Sequence, residues 1–206
     1  MACGHESAED ETSEDMYRMV GLSEDESVFS SFGFSLRKRL PWLYVNLGTA
    51  ILAAWVISFF EATIERVAVL AALQSIVAGQ GGNAGIQTLT IIVRGLALGD
   101  LDWRNSRRAF FKELGLGLAN GAAVGLAIGA LVWAWRGNVW LGAIIALAML
   151  LNMIAAALAG FVIPVALRKL RMDPAQASGV FVTTVTDVCG FFFFLGLATL
   201  LLPRLG

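Results

Sequence analysis

Long apolar segments dominate the chain, and they restrict it to folds that a lipid bilayer can accommodate. A helix needs about 20 mostly apolar residues to cross the hydrocarbon core of a membrane. Five segments meet this condition, at residues 42–60, 67–93, 114–135, 139–167 and 175–202. Hydrophobic residues make up 57% of the chain and charged residues 15%, so the composition is that of a membrane protein. The pattern predicts an all-α membrane protein with five transmembrane helices. We expect Pro41 to open the first helix, because a proline in the first turn loses no hydrogen bond.

The basic residues are distributed unequally between the two sides of this bundle. Arg18 lies near the amino terminus. Eleven of the 15 lysines and arginines lie directly before the first span or in the two loops on the same side: Arg37, Lys38, Arg39, Arg94, Arg104, Arg107, Arg108, Lys112, Arg168, Lys169 and Arg171. Only Arg66, Arg136 and Arg204 lie on the other side. The positive-inside rule places the amino terminus in the cytoplasm, and an odd number of spans then places the carboxyl terminus outside. We expect a multi-pass protein of the cell inner (plasma) membrane.

The composition also excludes several classes of function. Nine of the 16 acidic residues fall in the first 26 residues, which form an acidic head with few residues for a core. No basic stretch followed by an apolar run opens the chain, so we expect no cleavable signal peptide. Cys3 and Cys189 are the only cysteines and His5 is the only histidine, which disfavours a disulfide framework or a transition-metal site of about four ligands. The basic residues lie beside apolar runs, where they act as topology signals, so nucleic acid is not an expected partner.

Asp187 lies in the middle of the last apolar segment, where a carboxylate costs about 2.5–3.5 kcal/mol on insertion scales. Gly179 and Thr183 precede it at intervals of four, and Thr184 lies three residues before it. These residues form a polar stripe on an otherwise bulky, apolar helix, which is typical of a helix that lines a water-filled passage. Asp173 is placed to cap this helix. The alternative is a sealed bundle in which Asp187 accepts hydrogen bonds from the threonines.

The second span is interrupted by a polar, glycine-rich stretch at residues 79–88. Asn83 and Gln87 are four residues apart and therefore share a helix face. Two interpretations remain open: a pore wall of amide and carbonyl oxygens, with the helix locally unwound, or tight helix packing with Asn83 and Gln87 hydrogen-bonded to neighbouring groups. Asn46 and Asn152, in the first and fourth spans, are expected to form hydrogen bonds between helices.

The third span repeats glycine at every fourth position, at Gly117, Gly121, Gly125 and Gly129. Small residues at this spacing let two helix backbones approach closely in a membrane. No ionisable residue accompanies the stripe within the span. We therefore expect a packing surface and not a binding site.

Five spans cannot be divided into two equal inverted halves, so one chain does not fit the usual plan of a repeat-built transporter. A symmetric dimer could instead supply a pore on its two-fold axis. Two Asp187 carboxylates facing each other across that axis would attract a divalent cation. Magnesium prefers oxygen ligands and gives up its water reluctantly, whereas copper and zinc are disfavoured because the stripe carries no histidine or thiolate.

These features resemble the membrane domain of the MgtE magnesium channels, from about Leu40 to Leu202. The matching motifs are residues 81–87 (Gly-Gly-Asn-Ala-Gly-Ile-Gln), 94–97, 173–175 and 184–188, together with Pro164 and residues 167–170. Each motif alone is moderately specific. Their common order and spacing make the resemblance highly specific.

The resemblance implies a homodimer whose second and fifth helices line a shared pore for magnesium, with Co²⁺, Ni²⁺ or Mn²⁺ as further ions. It implies no enzymatic activity and no cofactor, with Mg²⁺ as the transported ion. Asp187 matches the aspartate that recognises hydrated magnesium, Thr183 and Gly179 match its neighbours toward the cytoplasm, and Asp173 matches a carboxylate at the cytoplasmic mouth. The predicted metal-binding residues are these four. The predicted pore-lining residues are Asn83, Gln87 and Thr184.

The resemblance also divides the chain into three parts. Residues 1–25 would be an acidic cytosolic head, similar to the end of a sensor domain, and residues 26–40 a connecting, plug-like helix. Residues 41–206 would be the five-helix transmembrane domain. Most members carry cytosolic sensor domains that close the pore, and these are not visible here. We therefore expect weakened closure by cytosolic magnesium, in a naturally short member or a truncated gene.

Two other functions remain open at this point. A proton-coupled divalent cation exchanger would also use a carboxylate within the membrane, but its flux would follow a pH gradient, whereas the flux of a channel follows voltage. A membrane scaffold would transport nothing. An intramembrane aspartyl protease is disfavoured, because it needs two aspartates at membrane depth and Asp100 and Asp102 lie in a basic loop.

Overall fold

The computed structural model describes residues 17–23, 25–101, 105–175 and 178–205. Every regular element in these ranges is helical, which confirms the all-α prediction. The long helices and their connections are α1 (Phe32–Ser58), α2 (Glu61–Arg66), α3 (Val69–Ala97), α4 (Ser106–Arg136), α5 (Val139–Lys169), α6 (Ser178–Leu200) and a final 3₁₀ turn at Leu202–Arg204. Cys3, His5 and most of the acidic head lie outside the described residues.

Helices α1, α4, α5 and α6 are each long and apolar enough to cross a membrane. The chain is therefore a multi-pass membrane protein. Helix α3 occupies the second predicted span and is 29 residues long, but Gln80, Asn83 and Gln87 lie in its middle. It is not among the four helices that qualify by length and composition. The fifth transmembrane helix thus stays a prediction.

Helix α1 begins earlier than expected. It starts at Phe32, so Pro41 lies inside the helix and the prediction that Pro41 opens it is wrong. Leucine, arginine and lysine between Phe32 and Pro41 are good helix formers, and they extend the helix through the basic stretch. Proline has no N–H group, so the carbonyl of Arg37, four residues earlier, loses its helical partner there. The boundary predicted between residues 26–40 and 41–206 falls within this continuous helix.

Helix α5 lies at the centre of the bundle and packs against α3, α4 and α6, while α1 packs against α6. The largest apolar cluster joins α3, α5 and α6 with one residue of α4: Leu70, Leu73, Val77, Val132, Leu141, Ile144, Ile145, Ala148, Met149, Met153, Phe194, Leu195 and Ala198. Within a bilayer such contacts stabilise the bundle through close packing, because lipid chains are as apolar as the side chains. The core therefore holds α3 and α6 against a common partner.

The predicted glycine stripe of α4 is a packing surface against α5. A Cβ atom added at Gly125 would lie 2.6 Å from the carbonyl oxygen of Ala146, and one added at Gly129 would lie 2.7 Å from the carbonyl oxygen of Gly142. No side chain fits between backbones at these distances. The prediction that the stripe serves close helix packing is confirmed.

Candidate functional site

The polar stripe predicted from the sequence lies on α6. Gly179 is buried, whereas Thr183, Thr184 and Asp187 are half-buried. The hydroxyl of Thr183 donates to the carbonyl oxygens of Gly179 (3.1 Å) and Val180 (3.0 Å). The hydroxyl of Thr184 donates to the carbonyl oxygen of Val180 at 2.6 Å. A hydroxyl that uses its proton in this way keeps its lone pairs. The stripe therefore offers oxygen atoms that can accept hydrogen bonds from a ligand.

Asp187 is the charged residue of this stripe. Its carboxylate forms no hydrogen bond and no ion pair with any residue that the structure describes. The neighbouring hydroxyls donate elsewhere, and that of Thr186 donates to the carbonyl oxygen of Thr183 at 2.9 Å. The sealed arrangement, with threonines donating to Asp187, is therefore not formed. The carboxylate keeps all its acceptor positions for water or for a hydrated ion.

Helix α3 is continuous through its glycine-rich stretch, so the local unwinding considered from the sequence does not occur. Its two faces differ. Gly81 and Gly85 are buried, whereas Asn83 and Gln87 are exposed. Tight packing is therefore confirmed for the glycines. The hydrogen bonds expected with it are not formed, because neither amide bonds to a described residue, and the pore-wall role of the two amides stays a prediction. No hydrogen bond joins either amide to Asp187 in the described part of the chain.

The glycine face of α3 lies directly on α6. A Cβ atom added at Gly85 would lie 2.5 Å from Val182 Cγ1. One added at Gly82 would lie 3.7 Å from Thr186 Oγ1 and 3.8 Å from Thr183 Cγ2. The structure thus packs the glycine-rich stretch of α3 against Thr183 and Thr186 of α6.

Asp173 precedes α6 and makes two polar contacts. Its Oδ1 atom accepts a hydrogen bond from the backbone N–H of Ala175 at 2.9 Å. Helix α6 begins only at Ser178, so this bond lies in the turn before the helix and the capping role of Asp173 stays a prediction. Its Oδ2 atom pairs with the guanidinium of Arg18. The carbonyl oxygen of Met19 lies 2.6 Å from the position of a Cβ atom added at Gly179. The segment before α1 therefore lies across the beginning of α6.

A cavity of about 650 Å³ lies between this segment and helices α1, α3 and α6. Gly179 and Thr183 line it, together with Asn46. Asp187 and the amides of α3 are not part of its lining. The side chain of Asn46 is exposed and forms no hydrogen bond to another helix in the described residues, so the prediction of an interhelical bond there is wrong.

An ion pair ties the segment before α1 to that helix. Glu26 Oε1 accepts a hydrogen bond from Arg39 Nε at 2.7 Å and lies 2.6 Å from a second guanidinium nitrogen. The Arg39 guanidinium lowers the pKa of Glu26 below its ordinary value. The pair therefore persists on mild acidification.

The sequence interpretation missed one buried carboxylate, Glu113. It is 4% exposed and lies within α4, because this helix begins earlier than the predicted span. It accepts a hydrogen bond from Thr88 of α3 at 3.2 Å, and its other oxygen lies 3.3 Å from Lys112 Nζ. The signal was present in the sequence, since Glu113 lies four residues before Gly117 and so continues the buried glycine stripe.

Comparison with known proteins places this arrangement in a family. The model of the MgtE family, described as a divalent cation transporter, matches residues 74–197, which run from α3 into α6. Proteins named magnesium transporter MgtE match from Bacillus subtilis (31% identical over 92% of the chain), Enterococcus faecalis (36% over 93%) and Thermus thermophilus (34% over 94%). The chain spans 42–43% of the length of these relatives. The family match includes the glycine-rich motif of α3, the central helix α5 and the aspartate of α6, and the chain belongs to the MgtE family of divalent cation transporters.

Proposed function

We propose that this chain transports divalent cations, with magnesium as the principal ion, through a water-filled passage shared by two copies of the chain. The description of the family and the names of the three relatives support the choice of ion. In this proposal the amino terminus is cytoplasmic, α3 is a transmembrane helix alongside the four more apolar ones, and the protein resides in the inner (plasma) membrane.

The observation that carries the proposal is the unpartnered carboxylate of Asp187 in the middle of α6. A charge at such a position is costly in a bilayer unless it faces water or a partner. Magnesium retains its waters, and these waters donate hydrogen bonds. The carboxylate of Asp187 and the lone pairs of Thr183 can accept them, and Thr184 adds a further hydroxyl oxygen.

Asp173 and Gly179 extend this path toward the cytoplasm. Asp173 supplies a carboxylate at the start of α6, and the close approach at Gly179 leaves only backbone to contact an ion there. The ion pair with Arg18 occupies one oxygen of Asp173. A cation that reaches this end of the path would therefore compete with a guanidinium.

A second copy of the chain explains the exposed amides of α3. Asn83 and Gln87 are exposed on a single chain, and polar groups facing lipid are unfavourable. Pairing two copies on this face would surround a passage with the amides and with two Asp187 carboxylates. The dimer is thus the arrangement in which Asn83, Gln87 and Asp187 would meet water or a cation.

Proton-coupled exchange of divalent cations is the second candidate, because a carboxylate without partners can also bind a proton. The two mechanisms differ in their driving force. Purified protein in liposomes loaded with a magnesium indicator would show uptake that follows an imposed potassium-diffusion voltage if the protein is a channel. Uptake that follows an imposed pH gradient at zero voltage would instead support exchange.

The central test is the nearly isosteric substitution Asp187→Asn in the same liposomes. Removing the charge weakens the hydrogen bonds to the hydrated ion, and we expect the initial rate of magnesium uptake to fall by about tenfold or more, since about 1.4 kcal/mol corresponds to a factor of ten. Asp100→Asn is the matched control, because Asp100 is an exposed acid outside the helices. Equal uptake by wild type and Asp187→Asn would reject the proposed function.

A further inference from the structure

We propose that Asn152 is a positioning residue that sets the register of α3 against α6, and with it the spacing of the groups that receive the ion. This inference rests on the proposed function, since it concerns the same path. Asn152 belongs to α5 and forms no hydrogen bond with the polar stripe of α6 among the described residues. Its effect on the ion would act through the two helices that it joins.

The side chain of Asn152 is fully buried between three helices. Its Nδ2 atom donates a hydrogen bond to the carbonyl oxygen of Val77 in α3 at 2.8 Å. A Cβ atom added at Gly81 of α3 would lie 2.1 Å from Nδ2, and one added at Gly190 of α6 would lie 2.8 Å from it. One amide group therefore rests on the backbones of both α3 and α6.

The amide has no room to move away from either helix. The Cα atom of Ala78 lies 3.3 Å from the position of a Cβ atom added at Gly190, so the backbones of α3 and α6 also approach each other at this point. The side chain of asparagine is short, and here it is enclosed on both sides. A methyl group at Gly81 would displace the amide and break its bond to Val77.

This junction lies next to the proposed ion path on both helices. Gly81 is two residues from Asn83, and Gly190 is three residues from Asp187. Each helical residue rises about 1.5 Å along the axis, so both groups lie within about one turn of the junction. Because helices move as rigid elements over such lengths, a slide at the junction would change the separation of the α3 amides and the carboxylate by the same amount.

The hydrogen bonding of Asn152 argues against a role in packing alone. Its Oδ1 atom is buried and has no hydrogen-bond partner in the described structure. A buried polar atom without a partner is unfavourable, and an apolar side chain of similar shape would fill the space without that cost. The hydrogen bond that Asn152 donates to Val77 and its contact with both glycines offset this cost, and an apolar side chain could not form that bond.

The test compares Asn152→Ala, Gly81→Ala and the double variant with wild type, by magnesium uptake into liposomes over a range of magnesium concentrations. Gly115→Ala is the matched control, because Gly115 is a helical glycine of α4, outside the proposed path, and has no atom within 4 Å of an added Cβ. We expect each single variant to change the half-saturating magnesium concentration by at least about threefold, and the double variant to lie closer to wild type than Gly81→Ala, because the two positions are in contact. Gly115→Ala should take up magnesium as wild type does.

Thermal unfolding of the same detergent-solubilised proteins separates positioning from stability. A lower melting temperature of Asn152→Ala with an unchanged half-saturating magnesium concentration would overturn the inference. Asn152 would then contribute to stability alone. If the double variant has the same half-saturating concentration and melting temperature as Gly81→Ala, the proposed contact between residues 81 and 152 is wrong. If Gly81→Ala does not fold, recovery of folded protein in the double variant supports the contact, and Asn152→Ala alone then decides the effect on the ion.

Failure of the proposed function gives a different result. In that case Asp187→Asn would take up magnesium as wild type does, or wild type would take up none. The melting temperatures of the single and double variants would still show whether the substitutions at positions 81 and 152 have non-additive effects. A coupled pair with no magnesium uptake by wild type would overturn the positioning role while confirming the contact.

Discussion

Two carboxylates within the helices illustrate how the environment of a side chain decides its role. Glu113 is almost fully buried, accepts a hydrogen bond from Thr88 and lies beside Lys112. Asp187 is half-buried, and its oxygens have no partner among the described residues. A satisfied buried acid joins elements of structure, whereas an unsatisfied one is available to a ligand. Glu113 therefore links α3 and α4, and Asp187 is the candidate for ion recognition.

Removing the Glu113 side chain should destabilise the bundle without changing the ion preference. In Glu113→Ala the hydroxyl of Thr88 loses its acceptor in a buried position, and we expect a loss of about 1–3 kcal/mol in the free energy of unfolding. Lys112→Ala is the control, because the Lys112 side chain is 63% exposed and an exposed ion pair contributes about 0–1 kcal/mol. Equilibrium unfolding in mixed micelles measures the free energy of unfolding of both variants. Equal effects would contradict a buried structural role for Glu113.

At the scale of elements, α3 and α4 use glycine in different ways. In α4 the glycines form one continuous stripe against α5, with distances from an added Cβ to backbone oxygen of 2.6–2.9 Å at Gly117, Gly125 and Gly129. In α3 the buried glycines meet side chains, namely Asn152 and Val182. The first contact is a backbone-to-backbone surface that holds two helices together. The second accommodates specific side chains beside the proposed ion path.

Alanine substitutions at two glycines of α4 should therefore have opposite effects. Gly125→Ala would place a methyl group against the carbonyl of Ala146, and we expect it to destabilise the protein by about 1–3 kcal/mol through overpacking. Gly115 has no atom within 4 Å of an added Cβ, so Gly115→Ala should be neutral or stabilise the helix by up to about 1 kcal/mol. The melting temperature of the purified variants distinguishes these outcomes. Similar losses for both would mean that α4 and α5 do not pack as described.

The whole molecule is a central helix, α5, with α3, α4 and α6 around it and α1 resting on α6. Helix α1 carries many exposed apolar side chains, among them Tyr44, Ile51 and Trp55. Such a surface is suited to lipid or to a second copy of the chain. The unequal distribution of basic residues in the loops predicts the orientation of this assembly in the membrane.

The orientation can be tested by cysteine labelling in intact cells, after replacing Cys3 and Cys189. Leu98 and Arg136 are exposed at opposite ends of the bundle. A membrane-impermeant maleimide should label the Arg136→Cys variant in intact cells, because this loop is expected to face outside. It should label the Leu98→Cys variant only after the cells are permeabilised. The reverse pattern would mean that the amino terminus is not cytoplasmic.

The parts of the site that could be predicted are those with a local signal. The close packing along the glycine stripe of α4 follows from its regular spacing. The hydrogen bond of Asn152 to another helix was also expected. The start of α1, the burial of Glu113 and the exposure of Asn46 were not predicted correctly, because each depends on which neighbours the chain brings to that position.

The sequence by itself determined the class of this protein, because hydrophobic length and helical periodicity are properties of consecutive residues. It also identified Asp187 as the costly residue of α6. Only the tertiary structure decided that the glycines of α3 face inward while its amides face outward, and that one amide on α5 meets both α3 and α6. Such contacts join residues far apart in the chain, and their energies depend on distances that no single segment specifies.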